Sequence, residues 1–176
     1  MIRTPQGGSF YRVLDMSFYT ADICDANETE VRTTEPVFSV FGGRVAFGGP
    51  IRTLRVYEDN SLVKEALASA GDGAVLVVDG GGSTRCALLG GNLAEMASAN
   101  GWAGLIINGC IRDTHEINAC DIGVRALGTC PRKSDKRGEG YRDLVLSFAG
   151  AEFRPGEYVY CDQDGVIVAD RNLLSA

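Results

Sequence analysis

The chain has 176 residues, of which 45% are hydrophobic and 23% charged, and its net charge is −6. That length and balance fit one domain with a buried core and exclude a disordered chain. The acidic excess argues against direct nucleic-acid binding, and the 23 glycines follow no three-residue period, which excludes a collagen-like chain.

Residues 1–17 read as a flexible, loosely held terminus, with a single domain over 18–176. A short helix is predicted at TADICDAN (20–27), with Thr20 as its N-cap. Two strand-like runs follow, PVFSVFG (36–42) and IRTLRVYE (51–58), separated by Gly42-Gly43, Gly48-Gly49 and Pro50. The spacing of Leu62, Val63, Ala66, Leu67 and Ala70 makes one apolar stripe, so a helix is predicted over Ser61–Ala70, capped by Asn60 or Ser61 and ended by Gly71. The continuous apolar run AVLVVD (74–79) predicts a strand buried on both faces. A glycine turn, a helix over Asn92–Asn100 and the strand GLIINGCI (104–111) complete a βαβ unit. Shorter strands follow at VRALGTC (124–130) and LVLSFAG (144–150). EYVYC (157–161) and GVIVAD (165–170) form a hairpin in which Gly165 supplies positive φ. The fold class is α/β with a β-rich second half.

Six cysteines stand far apart with no C-x-x-C and no preceding signal-like run, so reduced thiols and a cytoplasmic location are expected. No apolar stretch reaches the length of a transmembrane helix, and no membrane partner is expected. The basic stretch PRKSDKRGEG reads as a solvated loop.

Three segments carry candidate chemistry. VVDGGGSTR (78–85) is a tight turn after a buried strand. It lacks the spacing of a dinucleotide or phosphate loop, and Ser83 stands where the methyltransferase turn wants glycine. LLGGNLAE (88–95) places Gly90, Gly91, Asn92 and Leu93 at the start of a helix, where free N–H groups suit a carboxylate. Arg112 and Asp113 follow the strand 104–111 directly. A guanidinium can grip a carboxylate, and the neighbouring acid can hold a hard divalent cation. For each segment the alternative is ordinary capping or a local ion pair. His115, the single histidine, is assigned no role.

Taken in order, VFGGRVAFGGPIRTLRVYEDN, VLVVDGGGSTRCALLGGNLA, GWAGLIINGCIRD and DIGVRALGTCP resemble the family of the regulator of ribonuclease activity A, which also contains class II 4-hydroxy-4-methyl-2-oxoglutarate aldolases. The resemblance implies a swivelling β/β/α domain of the phosphohistidine-domain kind, assembled as a homotrimer with its site between subunits. It implies a lyase acting on small pyruvate-like 2-oxo acids, as an aldolase, an oxaloacetate decarboxylase or both. Gly90, Gly91, Asn92, Leu93 and Arg112 would then bind substrate, Arg112 and Asp113 would be catalytic, and Asp113 would hold Mg²⁺ or Mn²⁺. The alternative it implies is a non-catalytic regulator that binds an RNase E-type endoribonuclease. Two features depart from the aldolase pattern: Gly91 stands where aldolases place an acid, and the chain stops at Ala176 without their C-terminal extension. The first predicts weaker aldol cleavage than oxaloacetate decarboxylation.

Overall fold

The computed structural model describes residues 18–174; the terminus expected at 1–17 lies outside the described residues. The chain runs α1 (Thr20–Ala26), β1 (Val31–Thr33), β2 (Ser39–Phe41), β3 (Phe47–Arg55), α2 (Ser61–Leu67), β4 (Val75–Asp79), β5 (Ala87–Leu89) and α3 (Gly91–Ala99). It continues through β6 (Gly104–Ile111), α4 (Thr114–Ala119), β7 (Gly123–Thr129), β8 (Tyr141–Arg142), β9 (Leu146–Phe148), β10 (Ala151–Phe153), β11 (Tyr158–Cys161) and β12 (Val166–Ala169).

Period-two alternation along the apolar strands decides the layering. Val75 and Val77 of β4, with Ile51 and Ile106, enter a core closed by Leu146, Phe153, Val159 and Val168 from β9–β12. Leu76 and Val78, with Leu105 and Ile107, face the opposite way and meet Val63, Leu67, Ala94, Ala97 and Ile117 of α2, α3 and α4. Each fully buried aliphatic side chain contributes about 1.5–3 kcal/mol. The three helices have seven, nine and six residues, too few to persist alone, so this packing rather than propensity holds them. The result is the expected strand-rich β/β/α arrangement.

The main sheet runs β1-β12-β11-β3-β4-β6-β7-β2, with β5 added to β6 and β8 to β3. β3, β4, β6 and β7 are mutually parallel, and β5 is parallel to β6. The flanking pairs are antiparallel. Among the described residues no helix is long and apolar enough to cross a membrane, and all six cysteines are free thiols.

Several expectations are corrected. Gly48, Gly49 and Pro50 do not separate strands; β3 runs through them. A Cβ on Gly49 would lie 2.1 Å from the Gly73 carbonyl oxygen, so glycine here serves close approach of another backbone, not a turn. The strand expected at 36–42 shortens to β2, and the one at 51–58 ends at Arg55. Thr20 is the first helical residue rather than the N-cap, a position held by Tyr19. Its N–H and hydroxyl donate to Asp162 at 2.6 and 2.7 Å, so a distant carboxylate caps α1. In α2, Asn60 occupies the N-cap without a side-chain bond, and Asp59 instead accepts from the N–H and hydroxyl of Ser61 at 2.8 and 2.6 Å. This helix stops at Leu67, well before Gly71. The β11–β12 hairpin forms as expected, but Gly165 is not in the left-handed region. Its turn is closed by the Asp164 N–H donating to Asp162 Oδ1 at 2.9 Å.

Candidate functional site

Parallel strands β5 and β6 lie side by side, with Leu89 opposite Ile111. Their carboxyl ends therefore deliver Gly90 and Arg112 to one place, the usual location of ligand sites in parallel sheets. The Arg112 N–H donates to the Leu89 carbonyl at 2.9 Å and fixes the junction. Gly91 N–H donates to Asp113 Oδ2 at 3.2 Å, and the Arg112 Nε lies 3.6 Å from the same oxygen. Gly90–Leu93, Arg112 and Asp113, separated in sequence, are thus brought together around one cavity of about 380 Å³.

Asp113 sits in the left-handed region, at φ 56 and ψ 44, and is the N-cap of α4. Such a backbone costs a residue with a Cβ roughly 1–2 kcal/mol, and aspartate tolerates it better than most. No helix was expected within the segment 108–123, where α4 forms. It carries the carboxylate that sequence reasoning missed, Glu116. A Cβ on Gly91 would stand 1.7 Å from Glu116 Oε2, and one on Gly90 would stand 2.8 Å from Asp113 Oδ2. Two carboxylates therefore press against the Gly90-Gly91 backbone, and neither position could carry a side chain without displacing one of them. The legible signal was the spacing Asp113-x-x-Glu116, which puts both acids on one face of a helical turn.

These donors fit a hard divalent cation. Both carboxylates are accessible, with side-chain exposures of 40% for Asp113 and 48% for Glu116, and oxygen ligands with retained water suit Mg²⁺ or Mn²⁺. Among the described residues no three His, Cys, Asp or Glu side chains gather into a metal-holding group. Asp113 lines the cavity and Glu116 does not, so the chain's own contribution to a cation there would be Asp113, with Glu116 beside it on the Gly91 backbone.

The basic stretch is not merely a solvated loop. Lys133, Ser134 and Lys136 line the cavity, joined by Lys64 from α2. Backbone bonds hold the stretch in place: Ala87 N–H to the Arg132 carbonyl and Asp135 N–H to the Glu58 carbonyl, each at 2.8 Å. Asp59, fully buried, accepts from the N–H groups of Arg137 at 2.7 Å and Glu139 at 3.2 Å. Burial pushes the Asp59 carboxyl up, but the hydrogen bonds from Ser61, Glu139 and Arg137 outweigh it and hold the group at about 2. Asp59 thus ties the lysine-bearing segment to the start of α2.

The glycine turn after β4 belongs elsewhere. Gly81 and Gly82 take positive φ of 67 and 71. Asp79 Oδ1 locks the turn, accepting from Gly81 N–H at 3.0 Å and Asn108 Nδ2 at 2.9 Å. Gly81 lines a shallow depression with Tyr57 and Tyr141, apart from the candidate cavity. His115 is exposed beside Glu116.

The Aldolase/RraA model of the RraA-like family matches residues 20–168. A Cupriavidus necator protein named "Putative 4-hydroxy-4-methyl-2-oxoglutarate aldolase" is 54% identical over 159 residues, 88% of this chain and 96% of its own. A Burkholderia mallei protein of the same name is 53% identical over 164 residues, covering 90% and 99%. Among solved structures, a Geobacillus kaustophilus protein described as an S-adenosylmethionine: 2-dimethylmenaquinone methyltransferase superposes with a TM-score of 0.88 at 54% identity, covering 90% of this chain and 99% of its own. The RNA-processing inhibitor RraA of Thermus thermophilus superposes with a TM-score of 0.86 at 44% identity, covering 92% and 99%.

Proposed function

This chain belongs to the RraA-like family, by an Aldolase/RraA match over residues 20–168, and on that premise we propose that it is a divalent-metal-dependent lyase of pyruvate-like 2-oxo acids. The relatives named as 4-hydroxy-4-methyl-2-oxoglutarate aldolases, at 53–54% identity, support the reaction class. The observation that carries the reading is the junction of Arg112, Asp113 and Glu116 on the Gly90-Gly91 backbone.

Asp113 would hold the cation, with Glu116 behind it against the Gly91 backbone. Bound there, Mg²⁺ or Mn²⁺ supplies a positive charge that stabilises the anion developing on the 2-oxo oxygen as the C–C bond breaks. Arg112 offers paired N–H donors to the substrate carboxylate, and the Asn92 N–H at the start of α3 adds to them, while those of Gly91 and Leu93 are engaged by Asp113 and Gly90. Glu116 occupies the space where a side chain at position 91 would start, which keeps an acid next to the position where aldolases carry one. Both aldol cleavage and oxaloacetate decarboxylation are proposed at this site, with aldol cleavage the weaker as Gly91 predicts. The assembly is a homotrimer, supported by exposed Val37, Val40 and Val45 around the β2 edge.

The test is metal-dependent pyruvate release from oxaloacetate and from 4-hydroxy-4-methyl-2-oxoglutarate. Turnover with Mg²⁺ or Mn²⁺, abolished in Arg112→Ala and Asp113→Ala, is expected. Full activity under excess chelator, or unchanged turnover in Asp113→Ala, would overturn it.

A second reading is regulation of an RNase E-type endoribonuclease, supported by the Thermus thermophilus neighbour described as an RNA-processing inhibitor. The net charge of −6 suits a basic partner. Co-purification with such an enzyme at low salt, with slowed RNA cleavage, is the expected outcome; no complex at low salt removes that partner.

A further inference from the structure

Two short helices meet at the candidate site by their starting ends: α3 brings Gly90 and Gly91, and α4 brings Asp113 and Glu116. α4 has six residues and buries only Ile117 of them, too little to fix its own tilt. Its far end is held by the segment between β2 and β3, whose glycine pair the catalytic reading leaves without a role. Gly42 N–H donates to Asn118 Oδ1 at 2.9 Å. Gly43 N–H donates to the Cys120 carbonyl at 2.9 Å, and Arg44 N–H to the Ile122 carbonyl at 3.2 Å. Glycine permits this approach: a Cβ on Gly42 would lie 2.1 Å from the Ile122 oxygen, and one on Gly43 2.5 Å from the Cys120 oxygen.

Asp121 completes the fastening. Its carboxylate accepts from Arg44 Nε at 3.1 Å and Arg44 Nη2 at 2.7 Å, a bidentate pairing that fixes direction as well as distance. Its carbonyl accepts from the Ser98 hydroxyl, near the end of α3, at 3.1 Å. Arg44, Asp121 and Ser98 thus tie together the finishing ends of the two helices whose starting ends carry the site. At 1.5 Å per residue the fastening stands about 9 Å along α4 from Asp113, so a change of tilt there is passed to both carboxylates.

We propose that Arg44 is a positioning residue: paired with Asp121, it sets the spacing of α3 and α4 and thereby holds the Asp113 carboxylate in place for a divalent cation. This rests on the reading of Asp113 as the holder of that cation. Arg44 itself does not line the cavity. Arg112 hangs from the end of β6, its N–H bonded to the Leu89 carbonyl, so its grip on a substrate carboxylate does not depend on the tilt of α4.

The test combines Mn²⁺ binding, read from the paramagnetic resonance of the free ion, with pyruvate release from oxaloacetate and with urea unfolding. The proteins are the wild type, Arg44→Gln, Asp121→Asn, their double variant and Arg171→Gln. The last breaks an ion pair to Glu30, 2.8 Å long, beside the opposite edge of the sheet at β1 and β12. Arg44→Gln and Asp121→Asn each bind Mn²⁺ roughly tenfold more weakly and lose kcat by a similar factor, as when a supporting partner of a metal ligand is removed. KM for oxaloacetate stays within about twofold of the wild type, and the double variant is no worse than either single one. Arg171→Gln keeps wild-type Mn²⁺ affinity and kcat, and all the unfolding midpoints stay close together, since exposed ion pairs add little to stability. Wild-type Mn²⁺ affinity and kcat in both single variants, a rise in KM in place of a fall in kcat, or an equal loss in Arg171→Gln overturns this inference and leaves the lyase reading standing. Neither Mn²⁺ binding nor pyruvate release by the wild type overturns both.

Discussion

The carboxylate of Glu116 fills the space that a side chain at Gly91 would need, with Oε2 1.7 Å from where a Cβ would stand. Substitutions at the two positions must therefore be coupled. Glu116→Ala is expected to weaken metal activation about 10–100-fold, the usual effect of losing a supporting ligand. Gly91→Ala, which must push Glu116 aside, should show a loss of the same kind. The double variant should be little worse than either single one. Metal-activation curves for the four proteins check this, and additive losses would break the link.

The left-handed backbone of Asp113 separates its structural role from its chemical one. Asparagine tolerates that conformation nearly as well as aspartate, whereas alanine pays roughly 1–2 kcal/mol for it. Asp113→Asn is thus expected to unfold close to the wild type and Asp113→Ala earlier, with both inactive. Thermal melts paired with pyruvate-release assays distinguish the two effects. An alanine variant as stable as the asparagine variant would contradict this account.

Asp59 gives the fold an acid limit. Its carboxyl is lowered from 3.8 to about 2, so the folded state favours the charged form. That stabilisation is complete above the unfolded value and drains away as pH falls from about 4 toward 2. Asp59→Asn should be less stable than the wild type at neutral pH, by roughly 1–3 kcal/mol for a buried charged acceptor. The gap should close in that acid window. Because Asp59 tethers the segment bearing Lys133 and Lys136, the variant should raise KM for oxaloacetate more than it lowers kcat. Denaturant titrations across pH and steady-state kinetics test both halves.

Two glycines should answer oppositely to alanine. Gly49→Ala drives a methyl group to 2.1 Å from a backbone oxygen that cannot swing away, which should cost about 2–3 kcal/mol. Gly165→Ala meets nothing within 4 Å and needs no left-handed backbone. It should be neutral or stabilising by up to about 1 kcal/mol. Urea titration of both variants checks the contrast.

Legibility followed how local the cause was. The strand 104–111 appears at its expected limits as β6, because a run buried on both faces needs no partner to be recognised. Gly48 and Gly49 misled because their cause is a strand and a loop far along the chain, against which a Cβ would collide. β5, at three residues, is too short to show a period. Arg112, Asp113 and Gly90–Leu93 stood out by their place after apolar runs. Lys133 and Lys136 did not, since a polar stretch looks the same whether it faces water or roofs a cavity. Asp59, buried some eighty residues earlier in the chain, and the backbone bonds to Glu58 and Ala87 make the difference.

β4 and β6 are hydrogen-bonded along both edges and covered on both faces. Their amide protons should therefore exchange with deuterated solvent only through global unfolding, while those of residues 132–139 exchange through local opening. The two halves of the cavity wall would then live on different clocks. Arg112 and Asp113 hang from the slowest-opening part of the molecule. Lys133 and Lys136 ride on a segment whose release would need only the bonds to Glu58, Asp59 and Ala87 to break, with the sheet intact.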